Sequence, residues 1–359
     1  TLSPVVTATA GGTFTANSLS VSAAHRLPSS GDSANAFAGA STGGLLIGVS
    51  ATLANATNNA QVRATISNSS NLNITNDVSV SANNNSAQNA EASASAGGIL
   101  AAGVAASRSS STTVTTASLG TGVTVTASNL TVGASGRDTN LATTSAGSGG
   151  VLAGASAKVS TSGTSTTLAS IGANSNINLT ARGTGFLLVS ADHTASLNTR
   201  IKSEAGGVLA GAGVTVDSEV NAAVDATIGA SVTVRARDIG VYATSNVDKP
   251  ALPDRTENFL GLITITVSTP NVKGSTGGLV SGAGISSDFR ITLNTNVNIG
   301  ASAENYRIKD VADIVAEVVA GSVVEFAPGA SPDTRNYNVN CDKLRDVLGY
   351  RAEWTVRRG

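Results

Sequence analysis

Apolar residues alternate with small polar residues in short runs along most of the chain. Residues 123–127 have the sequence Val-Thr-Val-Thr-Ala and residues 130–134 have Leu-Thr-Val-Gly-Ala, and the pairs 72–74 with 78–80 and 232–236 with 239–243 are similar. An apolar residue at every second position predicts a β-strand with one buried face. The Asn, Asp, Ser and Gly residues between the runs are typical of turns. The pattern therefore predicts many strands joined by turns.

A Gly-Gly step followed by apolar and small residues recurs five times, beginning at Gly43, Gly97, Gly149, Gly206 and Gly277. The successive spacings are 54, 52, 57 and 71 residues. Elements that repeat in a fixed order at such a period indicate a solenoid or another repeat array. Because each repeat is longer than an ordinary coil, we expect it to supply two or three coils. Two prolines at 250 and 253, inside the longest interval, predict an excursion from the stack.

Composition agrees with stacking rather than with an ordinary globular core. The 359 residues include 39 glycines, only 3% aromatic residues and 13% charged residues. Few large side chains are available for a conventional core, whereas stacked coils bury small residues against identical ones. Disorder is the other possibility for a polar chain rich in glycine, but the recurring Val, Ile and Thr argue against it. We therefore predict a mainly β protein, with a parallel β-solenoid over residues 1–296 and a small C-terminal α/β segment over 297–359.

The C-terminal segment differs from the repeats in pattern and in composition. It contains the only Cys and the only Trp of the chain, Cys341 and Trp354. Apolar residues at helical spacing between 308 and 319 predict a helix that ends at Gly321. Residues 323–326 have the pattern of a strand, and residues 342–348 that of a second, short helix.

This segment resembles the C-terminal end of the NAD-dependent epimerase/dehydratase family, whose members act on nucleotide sugars. The resemblance is found in these residues: Val297 to Gly300, Glu304 to Tyr306, Pro332 to Asn340, Lys343-Leu344, Leu348 to Tyr350 and Trp354 to Val356. In the family the Asp-x-Arg segment lies at the nucleotide-sugar site, so the resemblance implies that Arg335 contacts a diphosphate. A local salt bridge is the alternative role for Arg335.

The chain lacks the parts that the same family uses for catalysis. It has no Gly-x-x-Gly-x-x-Gly loop between a strand and a helix, and no Tyr-x-x-x-Lys pair. A hydride acceptor and a general base are therefore both missing from the sequence. We predict that the protein is not an enzyme and uses no cofactor. A catalytically incomplete fragment of a nucleotide-sugar epimerase or dehydratase is the alternative.

The Gly-Gly steps that continue into small residues, as in Gly-Gly-Val-Leu-Ala-Gly at 149–154, and the Val-Thr-Val-x-Ala strands resemble the passenger regions of filamentous-haemagglutinin-like and autotransporter adhesins. This resemblance implies an extracellular or bacterial-surface structural protein. Its expected partners are a host or neighbouring-cell surface, or further copies of itself in a homo-oligomer or filament. A net charge of −1 gives no basis for binding nucleic acid. No run of about 18 apolar residues exists, so we expect no transmembrane helix.

Few residues suggest a chemical site. His25 and His193 have no second ligand at metal-binding spacing, so we expect ordinary surface or turn histidines and no metal. We expect Cys341 to be a buried bystander thiol, since no His is near it in sequence. The absence of Gly-Gly-x-Gly-x-Asp repeats argues against calcium. Threonine-rich stretches at 112–116 and 264–267 leave an ice-binding β-solenoid as a second alternative, although exposed strands favour threonine in any case.

Overall fold

The chain is mainly β, and no residue that the structure describes is helical. The computed structural model describes residues 1–29, 31–179, 185–249, 255–259, 263–267 and 271–300. The strands are, in chain order, β1 Val5–Ala10, β2 Thr13–Ala16, β3 Leu19–His25, β4 Ala34–Gly43, β5 Ile47–Asn58, β6 Gln61–Ile66, β7 Asn71–Ile74, β8 Asp77–Gly97, β9 Leu100–Leu119, β10 Thr124–Thr126, β11 Asn129–Gly149, β12 Leu152–Ile171, β13 Asn176–Asn178, β14 Phe186–Gly206, β15 Leu209–Ile228, β16 Thr233–Arg235, β17 Asp238–Asp248, β18 Arg255–Phe259, β19 Ile263–Val267, β20 Val272–Gly277 and β21 Val280–Ile299.

Three parallel sheets contain all of these strands except one hairpin. Sheet A consists of β1, β5, β6, β9, β12, β15 and β21; sheet B of β2, β7, β10, β13 and β16; and sheet C of β3, β4, β8, β11, β14, β17 and β20. The pair β18–β19 is antiparallel and separate. The chain passes from sheet C to sheet A to sheet B and back to sheet C, which is the path of a parallel β-solenoid. The mainly β prediction is confirmed.

Each sequence repeat forms one coil, so the expectation of two or three coils per repeat is wrong. Asn129 pairs with Asp77, which lies 52 residues earlier, and Phe186 pairs with Asn129 in turn. The coil accommodates so many residues because its sheet A and sheet C strands are about 20 residues long, as in β8 and β9. At about 3.3 Å per residue, such a strand spans roughly 65 Å. Each coil is therefore wide and flat.

The five Gly-Gly steps stack directly on one another. Gly43, Gly97, Gly149, Gly206 and Gly277 are successive partners in the sheet C register. In the second to fifth coils, the second glycine of the step lies against the backbone of the preceding coil. A Cβ atom on Gly150 would lie 1.9 Å from the carbonyl oxygen of Gly98, far inside contact distance. A side chain at this second glycine would therefore oppose close stacking, whereas a Cβ on the first glycine of each step meets no atom within 4 Å.

The interior is divided into zones along the width of the coil. Near sheet B it is filled by large aliphatic side chains in stacked columns, such as Ile66, Leu119 and Ile171, each at most 1% exposed. Burying each of these contributes about 1.5–3 kcal/mol. Near the Gly-Gly turns the core is mostly alanine, with a few valines and one isoleucine. Sheets A and C come so close there that a Cβ on Gly103 would lie 2.3 Å from the carbonyl oxygen of Gly147.

The predicted excursion from the stack is confirmed by the pairing register. In sheet C, Asp248 pairs with Ser196 and Val272 pairs with Ile201. Only four residues of β14 separate Ser196 from Ile201, whereas their partners are separated by the long segment 249–271. That segment contains the β18–β19 hairpin. The extra residues account for the 71-residue spacing in the sequence. The prolines at 250 and 253 lie outside the described residues.

The last described strand passes the boundary predicted at residue 297. β21 continues to Ile299, which pairs with Ile228 in the sheet A ladder. Val297 and Ile299, which contributed to the epimerase resemblance, therefore belong to the sheet of the coils. The rest of the predicted α/β segment, from residue 301 onward, lies outside the described residues.

Candidate functional site

The structure contradicts the expectation that His193 is a surface or turn residue. His193 lies within β14 and is 2% exposed, with its side chain between sheets A and C. His25 ends β3, is partly buried, and its Nδ1 lies 2.8 Å from Oδ1 of Asn84. The proposed diphosphate contact Arg335, its neighbour Tyr337 and the thiol of Cys341 lie outside the described residues.

His193 belongs to a buried polar cluster that comes from three successive coils. Its centre is Asp138, 1% exposed, whose Oδ1 accepts a hydrogen bond of 2.6 Å from Ser86 Oγ and whose Oδ2 accepts one of 2.8 Å from Thr113 Oγ1. The Nε2 atom of His193 lies 3.6 Å from the same Oδ2 and 2.8 Å from Ser165 Oγ. We call Ser86, Thr113, Asp138, Ser165 and His193 the buried polar cluster.

The stacking register brings these side chains together. His193 lies directly over Gly136 in sheet C, and Asp138 lies over Ser86. The missing side chain of Gly136 makes room for the imidazole, since a Cβ there would lie 2.7 Å from His193 Nδ1. The sequence contains a signal for this contact. The Gly-Gly steps at 149 and 206 are 57 residues apart, so residues 57 apart in these two coils are expected to stack. Gly136 and His193 have this spacing.

Burial controls the ionisation of the pair. It raises the pKa of Asp138 above its ordinary 3.8, against the charge of His193 and the hydroxyl donors, which lower it. Burial also lowers the pKa of His193 below its ordinary 6.5, against the attraction of Asp138. The two pKa values therefore shift in opposite directions for the same reason, because loss of water disfavours the charged form of each group.

The buried polar cluster contains a serine, a histidine and an aspartate, but not in the geometry of a catalytic triad. In a triad the carboxylate holds one imidazole nitrogen and the serine contacts the other. Here Ser165 Oγ and Asp138 Oδ2 both approach Nε2 of His193, while Nδ1 lies 3.5 Å from Thr167 Oγ1. Ser165 is also 4% exposed, so no substrate reaches it. The cluster is a hydrogen-bonded network that connects three coils within the interior.

The two pKa shifts predict how stability depends on pH. Because the folded pKa of Asp138 is raised, its contribution to stability is present below pH 3.8 and is lost as pH rises above that value. Because the folded pKa of His193 is lowered, its contribution is present above pH 6.5 and is lost as pH falls below that value.

The contribution is measured as the difference between the wild-type and Asp138→Asn unfolding free energies across pH. In the variant, His193 alone titrates with a lowered pKa, which gives stability that is lost as pH falls below 6.5. The loss of stability as pH rises above 3.8, which Asp138 causes, should therefore be absent from the variant, whereas the loss below pH 6.5 should remain. Parallel profiles for the two proteins would show that Asp138 makes no pH-dependent contribution.

The outer surface carries a continuous apolar ridge beside the Gly-Gly turns. Two aligned columns form it, and both run across all five coils. The Gly-Gly edge ridge consists of Leu46, Ile99, Val151, Val208 and Leu279 in the turns and of Ile47, Leu100, Leu152, Leu209 and Val280 at the starts of the sheet A strands. All ten side chains are exposed, from 40% at Leu152 to 87% at Leu279.

A shallow trough runs beside this ridge on the outer face of sheet A. The ridge forms one wall, and its floor is the next outward column of mostly small residues, Val49, Ala102, Gly154, Gly211 and Gly282. The turns and strand starts in each of the five coils, from 43–50 to 277–284, contain no charged residue. Sequence reasoning identified the repeated Gly-Gly-Leu pattern but assigned it only to stacking.

The threonine stretches do not form an unbroken array across coils. In sheet A, Thr112, Thr164, Asn221 and Thr292 occupy one outward column. The adjacent outward column contains Val114, Thr166, Ala223 and Asn294. Regular rows of threonine are therefore interrupted in the sheet that contains residues 112–116. The second stretch, 264–267, belongs to the hairpin strand β19 and not to the stacked coils.

Within the part of the chain that the structure describes, no three or more His, Cys, Asp or Glu side chains gather as a metal site would require. None of the described residues forms a helix of the length and hydrophobicity needed to cross a bilayer. Comparison of the chain with protein-family models, with curated proteins and with solved structures found no match.

Proposed function

We propose that this chain is a non-enzymatic structural or adhesin-type protein of the bacterial cell surface, which serves attachment or self-association. The observation that carries the proposal is the in-register stacking of all five Gly-Gly steps. Each added coil extends such a stack by about 4.8 Å without changing its cross-section. A stack of this kind provides length and long, uniform side faces, which are the properties required of a surface stalk.

The chemistry of the described residues supports the same proposal. The titratable groups at the centre of the buried polar cluster, Asp138 and His193, lie where no substrate reaches them. The surface features that repeat from coil to coil are the Gly-Gly edge ridge and the columns of small polar side chains. Repeated weak contacts along a face suit attachment through many equivalent points, because linked contacts bind more strongly together than singly.

Display on the surface of a non-adherent laboratory bacterium tests the proposal. Cells that carry the whole chain should be retained on an epithelial monolayer or should settle together, whereas cells with the empty display system should not. The Gly149→Ala chain is the matched control that keeps the stack, since a Cβ at Gly149 meets no atom within 4 Å. The Gly150→Ala chain, in which the third coil is forced away from the second at the turn, should attach less well.

Two results would contradict this assignment. One is a folded, displayed chain that neither binds a cell surface nor settles cells. The other is saturable one-to-one binding of NAD in a calorimetric titration, which would favour the epimerase or dehydratase alternative. A contact between Arg335 and a nucleotide-sugar diphosphate is part of that alternative, so it would be tested in the same titration with a nucleotide sugar.

A further inference from the structure

We propose that two copies of this chain pair side by side through the Gly-Gly edge ridge, with the ridge of each copy seated in the trough of the other. The biological use of this pairing rests on the proposed structural role, and the partner in that role is a second copy of the chain. The pairing itself is measured independently of attachment.

The exposed area of the ridge is large enough for a specific contact. Its ten aliphatic side chains are on average about half exposed. A fully buried aliphatic side chain corresponds to roughly 60–120 Å², so the ridge presents on the order of 300–600 Å². That equals the largest apolar patch of a typical monomer, which often marks an interaction site. Two such ridges would together bury about 600–1,200 Å², a range that includes the roughly 1,000 Å² of a specific interface.

The shape of the edge is self-complementary. Leu100, Leu152 and Leu209 protrude in one column, and the next outward position in those coils is Ala102, Gly154 or Gly211. Ridge and trough therefore run in parallel at the same coil spacing of about 4.8 Å. A twofold axis places each ridge in the other trough, so both apolar columns are covered in a single closed contact.

The charge distribution favours a second copy over a charged partner. The edge has no charged residue in any of its five coils, so two identical edges meet without repulsion and without burying an ion. Nucleic acid and acidic lipid headgroups would require basic side chains at the contact. The nearest cations on the outer face of sheet A, Arg108 and Lys158, lie at least six strand positions from the ridge residues Leu100 and Leu152.

Sedimentation equilibrium of the whole chain tests the pairing. The wild type should form a reversible dimer at micromolar concentration. Leu152→Lys places a charge at the centre of the ridge and should weaken dimerisation by roughly tenfold or more, because the ammonium groups are desolvated in the contact. Leu53→Lys is the matched control, since Leu53 is 64% exposed on the same sheet, six positions beyond Ile47. It should leave the dimer unchanged.

Cross-linking provides a second measurement that does not depend on a charged substitution. In a Cys341→Ser background, Val151→Cys lies in the central coil and should be cross-linked between copies by a short bismaleimide reagent, because the two ridges lie side by side in the pair. Leu53→Cys in the same background should not. A monomeric wild type at high concentration, or equal cross-linking of the two variants, would overturn the pairing. So would a monomer that binds neutral phosphatidylcholine vesicles through the ridge, because the occupant would then be a lipid surface.

These outcomes also separate the pairing from the proposed function. If Leu152→Lys is monomeric and its display still attaches cells, the pairing stands and attachment uses another face. If the wild type is monomeric and attaches cells, the pairing is wrong and the adhesin proposal remains.

Discussion

Replacing Asp138 by alanine is expected to destabilise the protein by about 3–5 kcal/mol, because it removes the shared acceptor of a buried hydrogen-bonded network. The substitution leaves the hydroxyls of Ser86 and Thr113 without their acceptor and leaves His193 without its nearest carboxylate. Each orphaned polar group costs about 1–3 kcal/mol in a site that water does not reach. The methyl group also leaves a cavity between sheets A and C.

Urea unfolding, with the free energy extrapolated to water, measures this loss. Asp192→Ala is the matched control, since Asp192 lies on the exposed face of β14 one position before His193. Its effect should stay within about 0.5 kcal/mol, as for most surface substitutions. Hydrogen exchange should show the loss in β8, β11 and β14, because stacked coils contact only their neighbours. Equal effects of the two alanine substitutions would mean that the network contributes no stability.

Replacing Gly150 by alanine is expected to lower stability by about 3 kcal/mol, at the upper end of the usual range for overpacking. The added methyl carbon would lie 1.9 Å from the carbonyl oxygen of Gly98 and 3.1 Å from that of Ile99. Both obstacles are backbone atoms of the adjacent coil, so no side chain can rotate away to relieve the clash. The third coil must therefore move away from the second at the turn.

The neighbouring glycine provides an internal control for this prediction. Gly149 belongs to the same step, and a Cβ there meets no atom within 4 Å. Gly149→Ala should change the thermal midpoint little, whereas Gly150→Ala should lower it clearly and should raise hydrogen exchange at the starts of β9 and β12. If Gly149→Ala and Gly150→Ala behave alike, the Gly-Gly step is not required by close stacking.

Two features of the fold follow directly from the sequence. The alternation of apolar and small polar residues, as at 123–127 and 130–134, reflects strands with one buried face, and it depends only on neighbours within one strand. The five Gly-Gly steps align in the structure as their spacing predicts, because stacked coils require the same small residue at the same place.

The number of residues in one coil was decided by tertiary packing. Nothing within a run such as 77–97 indicates whether it forms one long strand or several short ones joined by turns. Its Asn and Ser residues favour turns in isolation. In the folded chain, β8 remains extended for 21 residues because β11 pairs with it throughout and satisfies its backbone.

The buried polar cluster and the Gly-Gly edge ridge also depend on register. His193 has no polar partner at ligand spacing in the sequence, and it meets Asp138 only because stacking places it over Gly136, two positions before Asp138 in the neighbouring coil. Likewise, Leu100, Leu152 and Leu209 are ordinary apolar residues in their own coils, and they form a ridge because stacking aligns them on the outside of sheet A. The sequence by itself determined the period and the strand pattern, since both arise from local repetition. Only the tertiary structure decided which side chains meet across coils, because that depends on pairing between strands distant in the chain.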